Sequence, residues 1–174
     1  MAKRHVAPLV RGRVRLRLLE EADLPMTLGW RNQEHTRKWF FDSNVITPEQ
    51  HKAWWERYRY KDDDFVFVIE ETETLKQPVG QVALYNTDWA GGTAECGRLM
   101  IGAPEARGLG LAQLATRRLV DEALGAMRLT EVHLEVMPAN DSALAVYRKC
   151  GFIVVSSDAK AVRMRVLSDN PSWP

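Results

Sequence analysis

The segment Arg107-Gly108-Leu109-Gly110-Leu111-Ala112 stands where an apolar strand pattern ends and a long amphipathic helix begins. Glycines at that junction let the backbone turn tightly and approach an anion without a Cβ in the way. The free N–H groups of the first helical turn point to the same place, and the helix dipole favours negative charge there. Arg107 adds a fixed cation. Together these features describe a cradle for a phosphate or pyrophosphate. The segment lacks the third glycine and the later acidic partner of a dinucleotide fingerprint, and it lacks the Gly-Lys-Ser/Thr of a P-loop.

The elements around the cradle can be read from periodicity. The helix it opens is expected over residues 108–126, with Leu111, Leu114, Ala115, Leu119 and Leu124 on one face and Arg117, Arg118, Asp121 and Glu122 away from it. Upstream, residues 14–19, 65–69, 79–85 and 95–101 read as strands. Val132, Leu134 and Val136 alternate with Glu131, His133 and Glu135, which is strand behaviour. Asn140 can cap a helix running to about Lys149, with Gly151 as its left-handed stop. Residues 152–155 and 162–166 look like a closing antiparallel pair. Asp23 could cap a short helix to Trp30, and Thr47-Pro48-Glu49-Gln50 carries the marks of a second helix start. Asn86 to Gly92 reads as a turn. The order β-α-α-β-β-β-α-β-α-β-β predicts a mixed α/β (α+β) protein with a largely antiparallel sheet.

Composition narrows the class. The 174-residue chain is 45% hydrophobic, which suits one domain over residues 1–174 with a real core. A formal charge of +1 gives no long-range reason to expect nucleic acid or an anionic membrane as partner. The basic start, Arg13, Arg15 and Arg17 alternating with Val14, Leu16 and Leu18, reads as a half-buried strand with a solvated face. No apolar stretch approaches the ~18 to 20 residues needed to span a membrane, and MAKRHVAPLV lacks the apolar run of a signal peptide. A cytoplasmic protein is expected. Cys96 and Cys150 have no metal-type spacing, so no metal site is expected.

Two motifs carry a resemblance. Arg107 to Ala112 is similar to the R/Q-x-x-G-x-G/A signature of the GNAT N-acetyltransferases. Asn140-Asp141-Ser142-Ala143-Leu144-Ala145-Val146-Tyr147-Arg148-Lys149-Cys150-Gly151-Phe152 resembles that family's N-x-x-A-x-x-x-Y-x-K-x-G-F. The resemblance implies a twisted sheet of about seven strands flanked by about four helices, with the fourth and fifth strands splayed. It implies acetyl-CoA as co-substrate. The pantetheine arm would pair with the backbone at Leu99, Met100 and Ile101 and with Asn140. The diphosphate would sit on Arg107, Gly108, Leu109, Gly110, Leu111 and Ala112. Tyr147 takes the family's general-acid position. Glu135 is the first candidate for the base that deprotonates the amine, with Glu95 next and His51, His35 and His133 behind.

The segment from Trp30 to Trp55 is similar to acetyltransferases of nucleotide-linked 4-amino-6-deoxy sugars of the pseudaminic acid type. The carriers are the Arg31-Asn32 pair, the run Arg37-Lys38-Trp39-Phe40 and His51 with Trp54. This resemblance implies Trp30, Arg31, Asn32, Arg37, His51 and Trp54 as acceptor contacts, aromatic faces stacking on base or sugar and cations meeting a diphosphate. Alternatives are a ribosomal-protein-type N-terminal acetyltransferase, an aminoglycoside or polyamine enzyme, and a CoA-binding domain without catalysis. A polyamine enzyme would want an acidic groove, and the only acidic run is Asp62-Asp63-Asp64. A homodimer through a sheet edge or the C-terminal strands is compatible with the sequence.

Overall fold

The computed structural model describes residues 3–169. Eight strands form one sheet: β1 (Leu9–Arg11), β2 (Val14–Leu18), β3 (Phe65–Glu71), β4 (Gln77–Asp88), β5 (Thr93–Ile101), β6 (Glu131–Val136), β7 (Ile153–Ser157) and β8 (Val162–Leu167). Their order across the sheet is β1-β2-β3-β4-β5-β6-β8-β7. Every pairing is antiparallel except β5 with β6. Five α-helices join them: α1 (Leu24–Asn32), α2 (Glu34–Arg37), α3 (Pro48–Tyr58), α4 (Leu111–Leu124) and α5 (Asp141–Lys149).

This is the mixed fold the periodicity predicts, with two additions. β1 is three residues long, too short to show alternation, and turns into β2 through Gly12 at φ +53. The short α2 follows α1 directly and carries no apolar stripe of its own. The start of α1 also differs. Asp23 is its N-terminal neighbour but does not cap it with its side chain. The carboxylate is held instead by Arg17, at 2.7 and 2.9 Å, and by the Glu20 amide. Of the expected arginine stripe, Arg17 also meets Glu70 and Arg15 meets Glu70, while Arg13 donates to the Leu109 carbonyl; the neighbouring Arg11 meets Asp121.

The two faces of the sheet are covered by different helices. On one, α4 buries Leu111, Ala115, Leu119 and Val120 in a cluster with Leu16, Phe67, Leu84, Cys96, Val132 and Leu134. On the other, Trp55 and Tyr58 of α3 pack on Leu19, Val66, Val68 and Ala83. Thr47 and Gln50 make the capping box that starts α3, and Asn140 accepts from the Ala143 amide to start α5. No helix among the described residues is long and apolar enough to cross a membrane.

β5 is where the sheet opens. It pairs with β6 only at Thr93, Ala94 and Glu95, opposite Glu131, Val132 and His133. Its pairing with β4 slips between Ala83↔Gly97 and Gln81↔Met100, so three steps on β5 face two on β4. That extra residue is a bulge, and Arg98 within it adopts φ +50. From the bulge onward β5 follows β4 and leaves β6, producing the splay the family resemblance implies.

Candidate active site

The splay opens a cavity of about 680 Å³ between β5 and β6. Three parts of its wall carry the residues expected at the cofactor. The cradle contributes Arg107, Gly108, Gly110, Leu111 and Ala112; the β5 end contributes Leu99, Met100 and Ile101; and α5 contributes Asn140 and Tyr147. Leu109 does not line the cavity. Its carbonyl accepts from Arg13 at 2.6 Å and its side chain is exposed on the outside.

Gly108 and Gly110 have φ of +74 and +75, a region that side chains rarely adopt. A Cβ added at either would meet nothing within 4 Å, because it would project into open space at the cavity. Gly110 is the N-cap of the 14-residue α4, whose first amides therefore remain free for an anion. This arrangement fits a diphosphate. Arg107 donates to Gln33 at 3.4 Å and meets the His35 ring at 2.5 Å, tying the cradle to α2 across the cavity mouth.

Tyr147 is buried on the α4 side of the sheet, its ring edge-on to Phe152 at 5.7 Å. Burial, with Cys96, Tyr85 and Cys150 nearby, raises its pKa far above the usual phenol range. Its hydroxyl has no hydrogen-bond partner among the described residues, and its side chain lines the cavity.

Two carboxylates line the same cavity. Glu95 of β5 pairs with His133 of β6, and Glu135 lies two residues further along that strand. Tyr85 donates to Glu95 Oε1 at 2.6 Å and Asn86 donates to Oε2 at 3.0 Å. Tyr85 packs with the Trp55–Tyr58 cluster, so this pair faces the α3 side while Tyr147 faces the α4 side. Both line the cavity in the gap between β5 and β6. Glu135 is 45% exposed and receives Arg163 at 2.8 Å, which also pairs with Asp158.

The model of an acetyltransferase (GNAT) domain matches residues 13–153. The chain belongs to the GNAT acetyltransferases. It is an acetyl-CoA-dependent N-acetyltransferase that transfers acetyl to an amine. No curated protein sequence matches it. Among solved structures, it is similar to the spermidine N-acetyltransferase of Vibrio cholerae in complex with CoA and spermine. That likeness has a TM-score of 0.80 at 23% identity, over 91% of this chain and 97% of the other. A domain from Methanocaldococcus jannaschii DSM 2661 has a TM-score of 0.77 at 19% identity, over 90% and 99% of the two chains. At such identities the likeness describes the fold.

The acetyltransferase does not bring the expected acceptor contacts to its cavity. None of Trp30, Arg31, Asn32, Arg37, His51 and Trp54 lines it. Arg31 donates to the Asp42 carbonyl and stacks on Phe40, and Arg37 donates to the Ser43 carbonyl. Asn32 makes two bonds to the backbone of Ile46, at 2.8 and 2.9 Å. Trp30 packs where a side chain on residue 102 would be, which explains Gly102. His51, Trp54 and Tyr58 stack on one another. Arg31, Asn32 and Arg37 thus hold residues 40–46 in place. The residues that loop presents to the cavity are Trp39, Phe40 and Phe41, with His35 and Thr36 before them. Trp39 and Phe40 sat in the sequence run already singled out; Tyr85 and Arg98, also in the wall, gave no local signal.

Proposed function

We propose that this acetyltransferase acts on a small, positively charged aliphatic amine of the polyamine class, with Glu95 receiving the amine and Tyr147 protonating the departing sulfur. One observation carries the reading: Glu95 and Glu135, forty residues apart in sequence, line one cavity with Tyr147 and the cradle. The Arg98 charge beside them is matched by Asp64 at 2.8 Å. A carboxylate-bearing end walled by Trp39, Phe40 and Phe41 suits a cation with an alkyl chain. The Vibrio cholerae proteins of the same fold are spermidine N-acetyltransferases, one of them bound to spermine, which agrees with this class.

Bound acetyl-CoA supplies an activated thioester and a thiol leaving group. The chain's own residues do the rest. An ammonium must lose a proton before it can attack, and Glu95 takes that proton directly or through a water. Neutral donors hold both Glu95 oxygens, whereas Glu135 is already paired with Arg163, so Glu95 is the better base and Glu135 the better charge partner. Tyr147 gives its proton to sulfur from the opposite face. The backbone at Leu99, Met100 and Ile101 and the Asn140 side chain are assigned to the pantetheine arm, and residues 107–112 to the diphosphate.

A nucleotide-linked 4-amino-6-deoxy sugar is the second reading. Trp39 and Phe41 remain 37% and 57% exposed at the cavity, and Arg31 Nη1 is buried without a partner. The aromatic faces suit a base, while Arg31 itself lies outside the cavity wall. The main arginines of that reading are committed to their own loop, which is why it stands second.

The test is an acceptor panel read by release of free CoA thiol: spermidine, a nucleotide-linked 4-amino-6-deoxy sugar, an aminoglycoside and a ribosomal-protein N-terminal peptide. Spermidine should turn over fastest. Preference for the sugar nucleotide or the peptide would replace the reading, and silence with every acceptor would favour a CoA-binding module. A cytoplasmic setting suits the two buried free thiols, Cys96 and Cys150. A homodimer through edge strand β7 is proposed as well. Ile153, Val154 and Val155 are exposed on that unpaired edge, where a two-fold copy would cover them. Sedimentation as a monomer would remove that assembly.

A further inference from the structure

Behind Glu95 lies a chain of side chains that the reaction itself does not use. Asp64, just before β3, is 4% exposed, and its carboxylate forks the Arg98 guanidinium at 2.8 and 3.2 Å. Arg98 is the bulge residue of β5 in the left-handed region. A long side chain persists at such a backbone only where its surroundings over-determine it. Here the same guanidinium lies 4.2 Å from the centre of the Tyr85 ring. A planar guanidinium can take a bidentate carboxylate and stack on an aromatic face at once, which a lysine cannot. Tyr85 then donates to Glu95 at 2.6 Å. Gly97 leaves room for this, since a Cβ there would lie 2.8 Å from the Tyr85 hydroxyl oxygen.

We propose that Asp64, Arg98 and Tyr85 are positioning residues that aim the Glu95 carboxylate at the acceptor amine. The bulge that opens the sheet and the aim of the carboxylate are then set by one ion pair. Such a partly buried pair contributes little net stability compared with an apolar replacement, so its value lies in the geometry it imposes. Burial and the neighbouring Glu95 raise the Tyr85 pKa well above its ordinary value, so its hydroxyl stays a donor.

The inference rests on Glu95 as the group that receives the amine, and the test separates the two. Tyr85→Phe keeps the ring and removes only the hydroxyl. Asp64→Asn keeps the shape and removes the charge. Each is made in the unaltered protein and in a Glu95→Gln background, with spermidine as acceptor and acetyl-CoA affinity measured separately. Each should lower kcat/KM for spermidine about tenfold in the unaltered protein and by less than about twofold in the Glu95→Gln background, with acetyl-CoA binding unchanged. Arg98→Lys should behave like Asp64→Asn. Equal losses in both backgrounds, or full activity of Tyr85→Phe, would overturn the positioning role. If Asp64→Asn does not fold, Tyr85→Phe carries the same comparison. Full activity of Glu95→Gln would instead defeat the assignment of the base, as would the absence of spermidine turnover for the acceptor class.

Discussion

The halves of the cavity proposed for the cofactor and for the acceptor are built in opposite ways. Residues 99–101, 106–108 and 110–113, with others from Asn140 to Lys149, form one wall from a few contiguous segments that offers backbone amides and carbonyls at a helix start and a strand end. The acceptor wall takes single side chains from β4, β5, β6, α2 and the loop after it. Backbone recognition depends on local conformation, so it is written in short motifs of glycine, asparagine and cap residues. Side-chain recognition across strands depends on register and on where a bulge falls. Changes in the first half should therefore act on acetyl-CoA and on the chemical step, and changes in the second on the amine.

The largest effect should come from Tyr147. Tyr147→Phe keeps the ring against Phe152, so the fold and acetyl-CoA affinity should hold while kcat falls roughly 10²-fold or more, the usual loss of a general acid. Unchanged turnover would pass the acid role to water. Gly110→Val comes next. A β-branched residue at φ +75 is strained by roughly 1–2 kcal/mol and its side chain enters the cradle, so the acetyl-CoA Kd should rise at least about tenfold. Normal binding by calorimetry would break the assignment of the cradle. The smallest effect tests the other half. Asn32→Ala removes both bonds to Ile46 and frees the loop carrying Trp39 to Phe41, so KM for the amine should rise about three- to tenfold with acetyl-CoA binding untouched. A matching loss of acetyl-CoA affinity would blur the division between the halves.

The same division governs what could be read before folding. The α4 stripe, the Thr47 capping box, the Asn140 cap and the glycine turn all follow from contacts within a few residues and are found in the structure, though α4 runs Leu111–Leu124 rather than over 108–126. The strand β1 and helix α2 escaped because three or four residues are too few for a period. The residues expected to contact the acceptor lie outside the cavity wall for a different reason. Arg31, Asn32 and Arg37 have the chemistry to meet a diphosphate, yet loop carbonyls at residues 42–46 take their donors first. The sequence shows which groups can bind; it does not show which of them the fold spends on itself. Conversely, Glu135 and Glu95 are named from the sequence as the first and second candidates for the base, but that both line one cavity appears only when β5 and β6 stand side by side.

The most direct test of the account compares those two carboxylates. Glu95→Gln and Glu135→Gln should be assayed side by side for kcat/KM with spermidine, with acetyl-CoA affinity measured for each. If Glu95 takes the proton across the splay from Tyr147, Glu95→Gln should lose about 10²-fold in kcat/KM and Glu135→Gln less than about tenfold, mostly in KM, while both bind acetyl-CoA normally. A large loss in Glu135→Gln with near-normal activity in Glu95→Gln would contradict the account.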